Sequence, residues 1–353
     1  MGEFIMKNAA VYSLIALMSI ASTAAQGKRQ TAGSGSPRIR TLALVPAAID
    51  AATEYTLLPD PNGLTAGDGS ALYAQAAQVL PTNLNQQQIY NWLRLPLNEL
   101  PQTDAQRVIQ QAQASLQQVE LATRCQDCQW PAFTPGTMPA HLKEYRTLAH
   151  LLCLKARLQI ARGQHDEAVG TMRTGLAMAR QVGDSPTVLQ GMVGIAIAAI
   201  TLRQVEGMAQ SEDSPNLYAA LAELPRPLVD LEKPIASELN NLNSNPQYNF
   251  MVRAAMRRQL KESHARVRQL MHRLDRDIAA LACIEALRHY AATHDGHLPK
   301  QLADVTDTTV PANPETKGPF GYRLEGLEAI LDAPAAAGGR PEDAVRYEIT
   351  LAP

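Results

Sequence analysis

The sequence predicts a mainly α protein: helical hairpins around a buried apolar helix, then a long C-terminal helix leading into a small antiparallel β piece. Two observations carry this expectation. Alanine and leucine abound, while β-branched and aromatic residues are thin outside the last forty positions, and only 5% of the 353 residues are aromatic. That composition favours helix over strand. From Phe250 to Thr293 there is neither proline nor glycine, so nothing in the chain stops a helix there.

The start of the chain reads as an export signal. Lys7 supplies a positive lead, residues 9–20 are apolar, and small residues at 21–25 precede Gln26; that order is the pattern of a cleavable signal peptide. The apolar run is shorter than the roughly 20 residues a membrane span needs. The expectation is therefore a signal peptide at 1–25, a periplasmic or secreted destination, and no stable membrane span after cleavage. Residues 26–68, rich in Gly, Pro, Ser and Thr, read as an irregular N-terminal segment with one apolar stretch at 41–49.

A helical domain is expected over 69–249. Asp68-Gly69-Ser70 caps a first helix over 71–80. A second follows over 86–95, and a third, over 104–122, repeats apolar residues at near-helical spacing beside a glutamine-rich face. After a loop containing Cys125 and Cys128, helices over 141–162 and 165–182 are separated at Gly163. Asp166 and Glu167 suit the positive N-terminal end of the latter. Residues 188–202 are apolar nearly all round and too short to span a bilayer, which marks a buried central helix. Pro215, Pro225, Pro227 and Pro234 punctuate shorter helices beyond.

Residues 250–353 are expected to form one long helix plus a small β module. The helix carries eight cations between Arg253 and Arg276, and its charge-rich Asp275-Arg276-Asp277 is the expected place for a kink. Asp295-Gly296 signals the turn off the helix. Strands are expected at 320–324, 327–331 and 345–351, the last alternating Val345, Tyr347, Ile349 and Leu351 against polar neighbours.

Two resemblances follow from these residues. The stretch Ala156-Arg157-Leu158 through Ala161-Arg162-Gly163-Gln164-His165-Asp166-Glu167-Ala168 resembles the helix-turn-helix of a tetratricopeptide repeat, though one unit falls short of the three such arrays need. Residues 279–322, with Tyr290-Ala291-Ala292-Thr293-His294-Asp295-Gly296-His297-Leu298-Pro299 and then Gly318-Pro319-Phe320-Gly321-Tyr322, are similar to type II secretion pseudopilins. The prepilin helix of that family is not found ahead of residue 279. The whole chain looks closer to uncharacterised exported bacterial helical proteins that share this ending. Those resemblances imply a helix-to-sheet shape and an interaction role, not a reaction.

Composition and motifs bound the chemistry. Thirty-two basic against 34 acidic residues give a net charge of −2, without the basic surplus that nucleic-acid binding needs. Cys125-x-x-Cys128 has dithiol spacing, read as a local disulfide or two unpaired thiols, with metal binding and redox exchange as the sharper alternatives. His294, Asp295 and His297 are the best candidates for a catalytic or metal cluster, although the Asp-Gly turn explains the same residues. Ser185, within Gly183-Asp184-Ser185-Pro186, resembles an esterase block, and a helix N-cap at Asp184 or Ser185 explains it as well. No cofactor is predicted; a divalent metal enters only if the protein is an enzyme. The leading expectation is an exported scaffold with a protein partner. The alternatives are a secreted hydrolase of small esters, lactones or glycans, and a carrier holding an apolar ligand beside the buried helix.

Overall fold

The computed structural model describes residues 36–50, 52–131, 138–246, 248–335 and 339–352; the expected signal peptide lies outside the described residues. The described chain enters through strand β1 (Arg38–Leu44), and short β2 (Thr65–Asp68) runs into helix α1 (Gly69–Gln78). Helices α2 (Gln86–Trp92), α3 (Gln102–Gln111) and α4 (Gln113–Ala122) follow, then β3 (Cys125–Asp127), which pairs with β2 in parallel. Three longer helices come next: α5 (Leu142–Ala161), α6 (His165–Gly183) and α7 (Val188–Met208). Short α8 (Tyr218–Ala222), α9 (Glu232–Ser244) and α10 (Phe250–Thr293) lead to strands β4 (Gly321–Glu325), β5 (Glu328–Ala333) and β6 (Val345–Leu351).

The core is the bundle α5–α6–α7, each helix packed on the other two. Gly163, at φ 69°, turns α5 into α6, and the amide of Gln164 reaches back to the carbonyl of Gln159 at 2.9 Å, closing the helix end through the left-handed residue that glycine accepts most readily. Helix α6 meets α7 backbone to backbone. A Cβ on Gly194 would stand 2.6 Å from the carbonyl oxygen of Ala179 and 2.7 Å from the Cα of Gly183, so only glycine permits this approach. Among the described residues α7 alone is long and apolar enough to cross a membrane, yet 72% of its most apolar stretch is buried inside the protein. It is the expected buried core helix, but it runs to Met208 rather than 202, so burial and not shortness marks it as core.

Asp68 caps α1 as its sequence suggests, accepting from the amide of Ser70 at 2.9 Å. The helix expected over 104–122 is instead two, parted at Ala112, where φ −93° and ψ 7° open the chain. Helix α3 packs on α5 while α4 packs on α1, and the bend at Ala112 serves both contacts. The N-cap of α7 is Thr187, whose hydroxyl accepts from the amide of Gln190 at 3.2 Å, in place of Asp184 or Ser185.

Strands β4, β5 and β6 form the expected antiparallel piece. Strand β1, drawn from the segment read as irregular, adds to it in parallel, from Arg38 opposite Val345 to Leu44 opposite Leu351. Its inward positions are Arg38, Arg40, Leu42 and Leu44, a half-polar alternation that does not read as a strand in sequence. Arg40 pairs with Glu206 of α7 and lies 5.6 Å over the ring of buried Tyr347. Arg273 reaches Asp343 at 2.9 Å, so charge as well as apolar surface holds the sheet on the helices.

Helix α10 spans 44 residues and runs unbroken through Asp275-Arg276-Asp277, the expected kink. The charges there are answered rather than expelled. Fully buried Arg276 donates to Asp277 at 2.8 Å and to the carbonyl of Pro334 at 3.2 Å, and Asp275 accepts from the amide of Leu228.

Candidate functional site

The lower half of α10 carries a charged pair inside an apolar run. Between Ile278 and Leu287 every residue is buried, and Glu285 sits one turn before Arg288. Arg288 Nη1 lies 2.8 Å from Glu285 Oε2, with 0% and 1% of the two side chains exposed. Such burial is costly unless every lone pair and N–H finds a partner, and here the partners come from two loops. Arg288 donates through Nε to the carbonyl of Val45 at 2.8 Å and through Nη2 to Ser214 Oγ at 2.8 Å. Glu285 Oε2 accepts from the amide of Leu217 at 2.9 Å. Burial pushes the Glu285 carboxyl up while Arg288 draws it back. Asn216 completes the clamp, donating to the carbonyls of Ala47 and Glu285 at 2.9 Å each.

The loops so pinned form one wall of a cleft of about 360 Å³, and the α5–α6 turn forms the other. Its lining includes the carboxylates Asp50, Asp166, Glu167 and Asp213, and none of its eleven residues is lysine or arginine. Tyr55 donates to Asp166 at 2.7 Å, and that bond pushes the phenol up to about 12, which keeps it a donor. The amide of Ala52 at 2.8 Å and the Thr53 hydroxyl hold Asp50 below the usual carboxylate range. His165 Nε2, at the start of α6, is 3.1 Å from Ser211 Oγ in the loop after α7. Four exposed carboxylates around one hollow attract a cationic group, and the attraction is screened as salt rises.

The residues singled out from sequence lie elsewhere and stay apart. His294, Asp295 and His297 form the exposed turn that ends α10. Asp295 and Gly296 take φ 50° and 70°, and the amide of Gly296 bonds the carbonyl of Ala291 at 3.0 Å. His294 stacks on Tyr290 with ring centroids 3.8 Å apart, and its Nδ1 bonds the Tyr290 carbonyl at 3.0 Å. His297 Nδ1 is 3.3 Å from the carbonyl of His294. Among the described residues no group of three His, Cys, Asp or Glu side chains is arranged to hold a metal ion. Ser185 is buried at 3% exposure, its hydroxyl donating to the carbonyl of Thr187 at 3.1 Å.

Cys125 and Cys128 are free thiols. Burial pushes both thiols up, and Asp68 pushes them further, the reverse of the electropositive setting that makes a thiolate. They sit beside an aromatic cluster in which Tyr73 stacks on Trp130, with Gln181 bonded to both. The cleft residues form no sequence motif because they come from three separate stretches of chain. Glu285-x-x-Arg288 did carry a signal: a charged pair at i, i+3 inside an otherwise apolar run. No protein-family model matches this chain, and no curated protein or solved structure matches it either.

Proposed function

We propose that the protein is an exported, non-enzymatic helical scaffold whose acidic cleft holds a lysine- or arginine-bearing segment of a partner protein. The carrying observation is the cleft itself: Asp50, Asp166, Glu167 and Asp213 line one hollow with no lysine or arginine in its lining. The buried Glu285–Arg288 clamp supports the reading, because it fixes one wall of the cleft before any ligand arrives, and preorganisation lowers the cost of binding. The part in export rests on residues 6–25 of the sequence. A binding role also suits the engagement of Ser185, His294 and His297 in local backbone bonds.

The test is fluorescence anisotropy with a labelled decalysine peptide. Binding is expected at low salt, weakening as salt rises, and falling at least tenfold in Asp166→Asn/Glu167→Gln/Asp213→Asn. These side chains are exposed, so the variant is expected to fold. Equal binding by variant and wild type, or no binding by either, would overturn the reading.

A further inference from the structure

Helices α9 and the first half of α10 form an antiparallel arm. Arg268 reaches Glu232 at 2.5 Å, His264 reaches Glu238 at 3.0 Å, Arg257 reaches Asn243 at 2.6 Å, and Arg253 reaches the carbonyl of Asn245 at 2.8 Å. These four pairs keep one register from base to tip. Ile235, Leu242, Leu260 and Val267 are buried along the arm. From Phe250 to Val267 α10 rises about 25 Å at about 1.5 Å per residue.

At the start of α10, beside the polar loop that ends α9, two large apolar side chains stand in solvent. Phe250 is 85% exposed and Met251 79%, and Phe250 is one of only four phenylalanines in the chain. Behind the tip, charge is segregated. Residues 239–261 contain Arg253, Arg257, Arg258 and Lys261 and no acidic residue, in a chain whose net charge is −2; Glu238 and exposed Glu262 bound the stretch on either side. Phe250, Ala254, Arg258, Lys261 and Ala265 share one helix face by their spacing, and all five are exposed.

We propose that this arm docks the protein on an anionic phospholipid bilayer, with Phe250 and Met251 entering the boundary between headgroups and acyl chains and Arg258 and Lys261 lying over lipid phosphates. Each half of the feature selects the occupant. Cations near an anionic leaflet gain about fivefold in partition apiece, and an apolar tip gains only where an acyl phase receives it. A nucleic-acid backbone offers phosphates but no such phase. A second copy meeting this arm tip to tip would bring like charges together. Long cationic side chains reach back to the headgroups while the helix end sinks.

The proposal is tested by floating the purified full chain with vesicles of phosphatidylcholine alone and of phosphatidylcholine with 30% phosphatidylglycerol. Flotation is expected with the anionic vesicles, lost in 0.5 M salt, and weak with the neutral ones. Phe250→Ser/Met251→Ser is expected to lower partition at least tenfold, and Arg258→Gln/Lys261→Gln about twentyfold, both with unchanged circular dichroism. The variants differ from wild type only in the arm, so differences between them report the arm alone. Equal flotation by wild type and both variants overturns the proposal. So does duplex-DNA binding, or self-association in sedimentation, that these variants abolish while vesicles stay unbound. Loss of decalysine binding in the cleft variant leaves the arm result untouched, so the two readings fail separately.

Discussion

Glu285 and Arg288, one turn apart on α10, form an ion pair from which water is excluded, and the backbone of two loops completes their hydrogen bonds. The pair joins the exit of β1 and the loop before α8 to a single helix. Removing one partner leaves a charge buried without its counter-charge, which costs about 3–5 kcal/mol. Arg288→Met is therefore expected to lower stability by that amount in urea unfolding. Glu285→Gln/Arg288→Met is expected to recover part of the loss, because the remaining buried groups are neutral. Decalysine binding should weaken in Arg288→Met even at temperatures where it stays folded, since one cleft wall loses its anchor.

Two glycines on the central helices are expected to respond in opposite directions. At Gly194 a methyl group would meet the backbone of Ala179 and Gly183, which cannot yield without parting α6 from α7. Gly194→Ala is expected to cost about 2–3 kcal/mol, as overpacked core positions do. At Gly170, in the second turn of α6, nothing lies within 4 Å of the added carbon. Gly170→Ala is expected to stabilise by about 0.5–1 kcal/mol, the ordinary helix gain over glycine. Thermal unfolding of the two variants beside wild type checks both signs at once.

Much of the fold was legible where local chemistry decides it. The span of α10, the turn at Gly163, the cap at Asp68 and the buried character of α7 all follow from spacing, glycine and the absence of breakers. What was not legible depends on distant partners. Strand β1 pairs with β6, some three hundred residues along the chain, and its inward Arg40 makes sense only once Glu206 and Tyr347 are beside it. The charges at 275–277 suggest a kink until Leu228, Pro334 and Glu315 are seen to answer them. Asp50, Asp166 and Asp213 are ordinary loop and helix-end carboxylates in sequence, and folding alone gathers them into a cleft.

His150 on α5 gives the protein a pH dependence of known sign. Burial, reinforced by Arg146, pulls its imidazole down to about 4, and Tyr90 packs edge-on against the ring. In the unfolded chain it takes a proton near about 6.5. Between those values the unfolded state binds more protons, so stability falls as pH falls from about 6.5 to about 4. The ring is only partly enclosed, and after allowance for solvent screening the loss attributable to it is about 1–2 kcal/mol. Urea unfolding at pH 7 and pH 4.5 is expected to show a smaller difference for His150→Leu than for wild type, by that amount.

Substitution of the candidate catalytic side chains separates scaffold from enzyme. His294→Ala/Asp295→Ala/His297→Ala removes the best catalytic set read from the sequence, and Ser185→Ala removes the one serine in a nucleophile-like block. In the structure Ser185, His294 and His297 bond neighbouring backbone carbonyls, so the scaffold reading expects both variants to bind decalysine within about twofold of wild type. Ser185→Ala should lose about 1 kcal/mol of stability with its buried hydrogen bond. Gly163→Pro is the contrasting change. Gly163 sits at φ 69°, and proline is confined near about −65°, so the α5–α6 turn that walls the cleft cannot form as it stands. That variant is expected to lose binding and at least about 3 kcal/mol of stability. A panel of ester, lactone and glycoside substrates completes the comparison. If wild type turns one over, and the triple alanine variant abolishes turnover while its circular dichroism is unchanged, the protein is an enzyme and the turn at His294 is its site. Metal dependence of that turnover would assign His294, Asp295 and His297 as ligands, and the cleft would then be secondary to them.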